Sequence, residues 1–488
     1  MELLMLNNSK YLLILLIGLS QSFANNWENI QLPLDYFKAS NTNNNDRFGT
    51  SVAISGNTMV IGAPEEDSNG DELDNSMVKS GAVYVFIKSA NGWHQQAYLK
   101  ASNIGGNDYF GVSVAIYDNT IVVGAIGESS NTSGINGNQS NDSSINSGAA
   151  YVYTRNNNNW SQQAYLKASN TGMEDAFGTA VGVYENTIVV GAIGEADNAG
   201  AAYVFKRTNN LWSQDAFIKA SNPDSDDQFG ISVAISSRTI AIGADGEQSN
   251  ATGINGNEAN NSTPNFGAVY IFINENNNWS QQAYIKASVA ASNNYFGKSV
   301  DIDGDNLVIG AWGESTDFNG NSATHAGSAY AFSRNEGIWS QTTLLKGHNT
   351  GSGDSFGWSV AISDHNLIIG ANGESSSAIN IDGDGDDNSV NDSGAAYVFS
   401  CINGNWIQKA YVKASNTGFF SFFGHSLDIE NGIIAIGAFR ERNDATGINN
   451  YQTGGNFSLG NNSGSAYTYF DDIIFANRFE TSACASNL

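Results

Sequence analysis

The sequence predicts an all-β fold, a seven-bladed β-propeller of four-stranded antiparallel blades. Three observations lead there, and the repeat comes first, since a repeat of fixed length sets the architecture before local preferences do. A Phe-Gly pair recurs seven times, and a Gly-Ala pair follows each at one constant separation, 49 to 62 in the first unit and 424 to 437 in the last. The seven units begin at Phe48, Phe110, Phe177, Phe229, Phe296, Phe356 and Phe423. The third observation is an extra segment before the first unit and a missing one after the last, so that an N-terminal strand can complete the last blade.

Each unit holds four strand-like runs. The first starts at Phe-Gly and alternates small and branched residues, as in residues 48–54. The second, such as residues 120–125, and the third, such as residues 81–86, are apolar throughout, which is expected of strands buried on both faces. The fourth is mixed and suits an outer strand. Turns rich in Asn, Asp and Gly separate the runs, and no segment has a helical period.

The fourth run of each unit ends in Lys-Ala-Ser or a variant of it. Its Lys stands at one constant distance before the next Phe-Gly, at Lys38, Lys100, Lys167, Lys219, Lys286, Lys346 and Lys413. Lys38 has no unit before it, and the last unit stops at residue 470 without a fourth run. We therefore expect the segment around Lys38 to pair with residues 464–470. The chain divides into a signal peptide (1–24), the propeller (25–470) and a C-terminal tail (471–488).

The N-terminus has the features of a secretory signal peptide. Lys10 precedes an apolar run over residues 11–19, and Ser22 and Ala24 are small residues suited to cleavage after Ala24. A membrane anchor is the alternative, but the run is short for a bilayer. No later stretch is apolar enough to cross a membrane, so the mature chain is expected to lack a transmembrane segment. The predicted location is extracellular or cell-surface, with the periplasm as a further option.

The net charge and the cysteine content limit the kinds of partner and the cellular compartment that we expect. The formal net charge is −27, which disfavours nucleic acid and anionic membranes because they carry charge of the same sign. Cys401 and Cys484 are the two cysteines. In an oxidising compartment they either pair, which ties down the tail, or remain two thiols.

Length variation among the units is confined to the connection between the second and third runs. That connection ranges from residues 193–199 in the third unit to residues 439–463 in the seventh. Because strands alternate in direction, this connection and the one from the fourth run to the next unit emerge on the same face. We call it the variable face, and expect partners to bind there.

The repeat resembles a known family. Phe-Gly, then Val-Gly-Ala or Ile-Gly-Ala-Pro, then Gly-Ala-x-Tyr-Val-Phe is similar to the FG-GAP repeat of integrin α-subunit propellers, and most of all to its bacterial secreted variant. The likeness extends from about Trp27 to Phe470. It implies a seven-bladed propeller and an extracellular adhesion or interaction module. Integrin-type repeats often carry an Asp-rich calcium loop between the first two strands, but that turn is short here, as at residues 55–58.

One loop of the sixth unit is a candidate calcium site. Its predicted ligands are Asp382, Asp384, Asp386 and Asn388. Oxygen ligands at alternating positions around a Gly-containing turn suit Ca²⁺. A flexible acidic loop is the alternative, because Asn391 stands where a calcium loop has its bidentate Glu. No cofactor is required by the sequence, and calcium is the one candidate.

A Glu stands four residues after the Gly of every Gly-Ala pair. These are Glu66, Glu128, Glu195, Glu247, Glu314, Glu374 and Glu441. We expect each to pair with a Lys or to cap loop amides; a cation-binding rim is the alternative. A site used once would not need seven copies, which favours the structural interpretation.

Together these features predict a non-catalytic binding or adhesion propeller, a monomer that engages an extracellular protein through its variable face. A lectin-like propeller is the alternative, with Trp312, Phe318, Phe439 and Tyr451 as candidate sugar-contacting aromatics. A propeller hydrolase is the third option, but no blade-unique polar residues are expected near the axis beyond the acidic loop. Ser355 lies in a Gly-x-Ser-x-Gly sequence without the strand–turn–helix context of a nucleophile. No catalytic residue is predicted.

Overall fold

The computed structural model describes residues 35–289, 291–450 and 462–470. The first strand is β1 (Asp35–Phe37). Blade 1 contains β2 (Ser51–Ser55), β3 (Thr58–Ala63), β4 (Ala82–Ser89) and β5 (Gly92–Leu99), and blade 2 contains β6 (Ser113–Tyr117), β7 (Thr120–Ala125), β8 (Ala149–Asn156) and β9 (Asn159–Leu166). Blade 3 contains β10 (Phe177–Tyr184), β11 (Thr187–Ala192), β12 (Ala201–Thr208) and β13 (Leu211–Ile218), and blade 4 contains β14 (Ser232–Ser236), β15 (Thr239–Ala244), β16 (Ala268–Glu275) and β17 (Asn278–Ile285).

The remaining blades follow the same pattern. Blade 5 contains β18 (Phe296–Asp303), β19 (Asn306–Ala311), β20 (Ser328–Asn335) and β21 (Ile338–Leu345), and blade 6 contains β22 (Phe356–Ser363), β23 (Asn366–Ala371), β24 (Ala395–Ile402) and β25 (Asn405–Val412). Blade 7 contains β26 (Ser426–Glu430), β27 (Ile433–Ala438) and β28 (Ser465–Phe470), with β1 as its fourth strand. A short helical turn, α1 (Glu195–Asn198), lies in the loop of blade 3. None of the helices formed by the described residues has the length and apolar character needed to cross a membrane.

Every blade is an antiparallel sheet whose strands pair in chain order. The first strands of neighbouring blades contact one another around the whole ring, from β2 with β6 to β26 with β2. The first strands therefore surround the axis and the fourth strands lie outermost. The predicted all-β, seven-bladed, four-stranded propeller is confirmed.

The ring closes as the sequence predicts. β1 pairs with β28 in the register Asp35 to Thr468, Tyr36 to Tyr467 and Phe37 to Ala466. Tyr36 and Phe37 are fully buried. The signal peptide, the tail, Trp27, Tyr451 and Cys484 lie outside the described residues, and so the predictions about them, including the pairing of Cys401, stay predictions.

Steric contact between blades explains the constant spacing of the two glycines. A Cβ on Gly62 would lie 2.0 Å from the carbonyl oxygen of Gly111 in the next blade, and one on Gly437 would lie 2.1 Å from that of Gly49. A side chain at the Gly-Ala glycine would thus push adjacent blades apart. Ser51 Oγ also donates a hydrogen bond to the Gly111 carbonyl at 2.8 Å. Its counterparts that bond the same way are Ser113, Ser232, Ser299, Ser359 and Ser426.

The core lies between blades. The Phe of each Phe-Gly pair packs edge-on against the Tyr and the aromatic residue of the third strand in its own unit, as Phe48 does against Tyr84 and Phe86 with ring centroids 5.3 and 6.3 Å apart. Trp93 of the fourth strand of blade 1 packs against Phe37 and is 8% exposed, so it belongs to this core. Edge-to-face rings add to the burial of apolar surface.

Candidate functional site

The seven Glu of the Gly-Ala units bind the seven Lys of the fourth strands. Lys167 Nζ lies 2.8 Å from Glu128 Oε2, and both side chains are at most 1% exposed. The other pairs are Lys38–Glu441, Lys100–Glu66, Lys219–Glu195, Lys286–Glu247, Lys346–Glu314 and Lys413–Glu374. The structural interpretation of the Glu series is confirmed. These carboxylates are neutralised inside the blades and do not form an open cation rim.

Six of the seven pairs are joined by an Asn to the preceding blade. Asn103 Nδ2 donates to Glu128 Oε1 at 3.0 Å, and the Tyr151 hydroxyl donates to Asn103 Oδ1 at 2.6 Å. Six junctions carry such an Asn, and exposed Val289 takes its place before blade 5. Burial lowers the pKa of Lys167, and the charge of Glu128 opposes that shift. The network holds the loops of the variable face in place.

The acidic loop of blade 6 repeats a turn that other blades build from Asn. Asp382 Oδ1 accepts the backbone N–H of Tyr411 at 2.9 Å, as Asn136 accepts that of Tyr165 in blade 2 at 2.9 Å. Asp384 Oδ1 accepts the N–H two residues on at 3.1 Å. The four predicted ligands, Asp382, Asp384, Asp386 and Asn388, are exposed. Across residues 35–289, 291–450 and 462–470, no three His, Cys, Asp or Glu side chains gather as a metal site, so calcium here stays a prediction.

A continuous series of aromatic rings crosses the variable-face end of the first-strand ring, which we call the axial mouth. Its members, the aromatic ladder, are Tyr295, Trp312, Trp358, His425, Phe439 and Phe422, all half-buried. Successive centroids are 4.7, 5.5, 5.7, 4.2 and 5.5 Å apart. The ladder breaks the sevenfold repeat, since it draws only on blades 5 to 7 and the loops that lead into them.

Three equivalent positions of the repeat build the ladder. Trp358 and His425 directly follow a Phe-Gly pair, where blades 1 to 4 have Thr50, Val112, Thr179 and Ile231. Trp312 and Phe439 directly follow a Gly-Ala pair. Tyr295 and Phe422 directly precede a Phe-Gly pair and have φ of 53° and 55°. The other five units have the same left-handed backbone at this position, so the conformation belongs to the repeat, and Tyr295 and Phe422 differ from most of them in carrying an aromatic side chain.

Cations lie over the rings of the ladder. Lys298 Nζ is 5.7 Å from the Trp358 centroid, and Arg47 is 5.8 Å from that of Phe439. Arg440 lies over Phe439 at 5.2 Å and over Phe422 at 5.3 Å. Burial, together with Lys298, Arg440 and Arg47, lowers the pKa of His425 to about 3, so its imidazole is neutral. Three cations are thus concentrated around the ladder of a strongly acidic protein.

Two carboxylates also lie on the first strands, at a position that is Ala or Gly in the other blades. Asp301 Oδ2 accepts the backbone N–H of Ile362 in blade 6 at 2.8 Å, and Asp428 Oδ2 accepts that of Ile54 in blade 1 at 2.8 Å. Burial raises the pKa of Asp301 to about 8, and the charge of Asp428 adds to the shift. The expectation of no blade-unique polar residues near the axis was therefore wrong. These two acids thus join neighbouring blades through hydrogen bonds to the backbone.

A second surface feature is a groove of about 580 Å³ between the outer strands of blades 5 and 6. Phe318, Leu344, Trp406 and Ile407 contribute apolar surface to it, and His348 contributes polar atoms. Of the predicted sugar-contacting residues, Phe318 thus lies in the groove, while Trp312 and Phe439 belong to the ladder. Ser355 is half-buried, and its hydroxyl donates a hydrogen bond to the Gly353 carbonyl of the same loop at 3.3 Å.

Sequence reasoning named Trp312 and Phe439 but missed the ladder as a unit. The available signal was the contrast between blades at one repeat position, where Trp358, His425 and Lys298 replace small or aliphatic residues. All seven runs satisfy the same strand pattern, so that pattern does not reveal how the blades differ at this position.

Comparison with known proteins agrees with this architecture. The FG-GAP repeat family matches residues 36–86, 93–153, 160–205, 212–272, 279–332 and 339–399, which together exceed half of the chain. Each matched segment runs from a fourth strand to the third strand of the following blade. No curated protein matches the chain. The likeness to a bacterial secreted variant stays a prediction. From its repeated Phe-Gly and Gly-Ala joints and these matches, the chain belongs to the FG-GAP repeat family.

Proposed function

We propose that the chain is a non-catalytic binding or adhesion propeller, secreted or held at the cell surface, that engages a partner through its variable face. FG-GAP repeats are typical of extracellular or surface proteins, which supports this location. The observation that carries the proposal is the aromatic ladder. Six half-buried rings and their cations gather at one mouth, whereas the fold itself needs only the sevenfold repeat.

The acids on the first strands support a structural role rather than catalysis. Asp301 and Asp428 each accept two backbone N–H groups, one of them from the neighbouring blade. A general acid or base needs a free position within hydrogen-bond reach of its substrate. We therefore assign both carboxylates the role of joining neighbouring blades through hydrogen bonds.

The experiment is retention of surface proteins from neighbouring cells by the immobilised full chain, with Trp358→Ala and Phe318→Ser as variants. We expect a retained protein that Trp358→Ala loses and Phe318→Ser keeps, since Trp358 belongs to the ladder and Phe318 does not. Melting temperatures of all three proteins control for folding. Retention that Trp358→Ala leaves intact would contradict the proposal.

Glycan binding is a second candidate function, favoured by the groove. Phe318 is 54% exposed beside Trp406, and exposed aromatic faces are suited to sugar rings. On a glycan array, this candidate requires signals that Phe318→Ser removes and Trp358→Ala retains. An array without signal for the wild-type chain removes it.

Calcium in the blade 6 loop is also a proposal. The pattern of Asp382, Asp384, Asp386 and Asn388 supports it, and the use of Asn for the same turn in blade 2 speaks for a purely structural loop. Melting with and without Ca²⁺ decides between them. A rise that Asp384→Ala abolishes supports the ion, and no rise removes it.

A further inference from the structure

We propose that the axial mouth recognises a carboxylate, namely an exposed Asp or Glu side chain of a partner protein, and that Arg440 is its main ligand. This inference rests on the proposed function and adds the chemical class that the mouth recognises. It starts from a cation whose bonding capacity is unused.

Arg440 is an uncommitted cation of the mouth. Among the residues that the structure describes, no carboxylate lies within ion-pair distance of it, and its buried Nε has no hydrogen-bond partner; the buried Nε of the adjacent Arg442 likewise has none. Arg47, in contrast, pairs with Glu65 at 2.9 Å, and Lys298 lies 4.0 Å from Asp245. A guanidinium carries five N–H donors in a planar fork, and because Nε is buried, the donors of Arg440 that a partner can reach are those of the two terminal nitrogens.

The ladder fixes the orientation of this guanidinium. Arg440 lies over both Phe422 and Phe439, at 5.3 and 5.2 Å from their centroids. A cation over a ring face is attracted by the ring quadrupole and loses freedom to turn. The two terminal nitrogens of a guanidinium held in this way can form a bidentate bond to a carboxylate.

The same contacts argue against a sugar at the mouth. Cations lie over Trp358, Phe422 and Phe439, and Trp312 is stacked on Tyr295 at an interplanar angle of 13°. Faces covered in this way are not available as a stacking platform. Ligand recognition is left to the guanidinium edges, and a protein carboxylate fits them.

Local charge favours an anion. The cations at the mouth are Lys298, Arg47 and Arg440, with Arg442 adjacent over Phe420. The acids that face them are Glu65, Asp245 and Asp392. Burial lowers the pKa of Arg440, repulsion by Arg47 and Arg442 adds to that shift, and Glu65 and Asp392 oppose it. An incoming carboxylate relieves this repulsion.

The test uses the full chain and two labelled dodecapeptides of alternating Gly and Glu, or alternating Gly and Gln, measured by fluorescence anisotropy at low salt. We expect the Glu peptide to bind at least tenfold more tightly than the Gln peptide. Arg440→Gln should remove that preference, and Arg440→Lys should retain part of it through charge alone. Arg334→Gln is the matched control, because Arg334 also lies over a ring, that of Trp339 at 4.9 Å, but on the opposite face. It should change affinity less than twofold.

Three outcomes overturn the inference. The two peptides bind equally; Arg440→Gln and Arg334→Gln weaken binding equally; or an oligoglucuronate displaces the Glu peptide at lower concentration than the unlabelled peptide does, which assigns the mouth to acidic glycans. Melting temperatures of each variant exclude unfolding as the cause. A partner that is retained through Trp358 but is indifferent to Arg440→Gln leaves the proposed function standing and removes only the carboxylate.

Discussion

Lys167 and Glu128 show how strongly single residues are committed to the blade joints. Both are buried, and Lys167 Nζ also donates to Ser147 Oγ at 2.7 Å. Removing one partner of a buried ion pair leaves an uncompensated charge, which typically costs 3–5 kcal/mol, whereas exposed pairs contribute about 1 kcal/mol or less. The degree of burial therefore decides how much each of the seven pairs contributes to the free energy of unfolding.

The first prediction compares two of these pairs. Lys167→Met should lower the free energy of unfolding by about 3 kcal/mol, because Glu128 stays buried without its cation. Lys219→Met should lower it by about 1 kcal/mol, because Lys219 is 26% exposed and water can solvate Glu195. Urea unfolding of both variants measures the difference. Equal losses would show that burial does not set the contribution.

The second prediction concerns pH. The pKa of Asp301 is raised to about 8 in the fold, above the ordinary 3.8, so the folded chain holds a proton that the unfolded chain releases. Stability from this group is present below about pH 4 and is lost as pH rises through 8. Asp301→Asn cannot release that proton. Its unfolding free energy should fall less between pH 5 and pH 8 than that of the wild type, as urea titrations at both pH values will measure.

The comparison has a matched control. Asp303 stands two residues further along the same strand and accepts the N–H of Asp364 at 2.8 Å in a more exposed turn. Asp303→Asn should flatten the pH dependence less than Asp301→Asn does, because the charge of Asp303 is only the last of the contributions that raise the pKa of Asp301. A pH slope that Asp301→Asn does not flatten would place the titrating group elsewhere.

At this scale the sequence predicted the Lys–Glu pairing but not the ladder. Pairing was predictable because both residues recur in every unit, so that one inference covers all seven. The ladder was not, because Trp358 and His425 satisfy the same strand pattern as Thr50 and Ile231, and contacts between blades decide their neighbours.

At the scale of elements, the first strand of blade 3 lacks a bond that the other six first strands make. Ala180 stands where Ser232 Oγ donates to the Gly297 carbonyl at 2.8 Å in blade 4. The joint between blades 3 and 4 therefore keeps the glycine contact, in which a Cβ on Gly191 would lie 2.0 Å from the Gly230 carbonyl oxygen, but lacks the hydroxyl bond beside it.

The third prediction restores the missing bond. Ala180→Ser should raise the free energy of unfolding by about 0.5–1.5 kcal/mol, the net contribution of one hydrogen bond. Ser232→Ala should lower it by a similar amount. Chemical denaturation of both variants is the measurement. If Ala180→Ser is neutral while Ser232→Ala destabilises, the bond does not form in blade 3.

The loop of blade 6 shows why its residues could not be assigned from sequence. Asp382 and Asn136 accept the same backbone N–H in equivalent turns. Asp and Asn are both acceptors for such turns, so an Asp-rich stretch is compatible with a calcium site and with a plain turn. The residue types of this loop therefore do not decide between a calcium site and a plain turn.

At the scale of the whole molecule, closure depends on three residues of β1. They cover the edge of β28, which would otherwise present unpaired backbone groups. The fold was predictable to this level because the count of strands, the constant spacings and the missing fourth strand of the last unit all require a closed ring. The partner was not, because loops of the variable face differ from blade to blade.

The fourth prediction removes the closing strand. A chain that starts after residue 40 should form larger assemblies than the full chain, through the exposed edge of β28, because open edges pair with other chains. Sedimentation velocity measures the mass, and a peptide of residues 35–40 added in trans should shift the mass back toward that of the full chain. A truncated chain with the same state of association as the full chain and unchanged unfolding would argue against edge-strand closure.

The glycine contact between blades has one more consequence. Because the glycine contact is made from backbone atoms, that part of each joint does not depend on which two blades meet. A blade transplanted to another position of the ring finds the same glycine contact on both sides. Duplication and exchange of whole blades can therefore alter what the mouth displays while the ring beneath it stays intact, and chimeric rings with a second copy of blade 7 are a direct way to build new specificities.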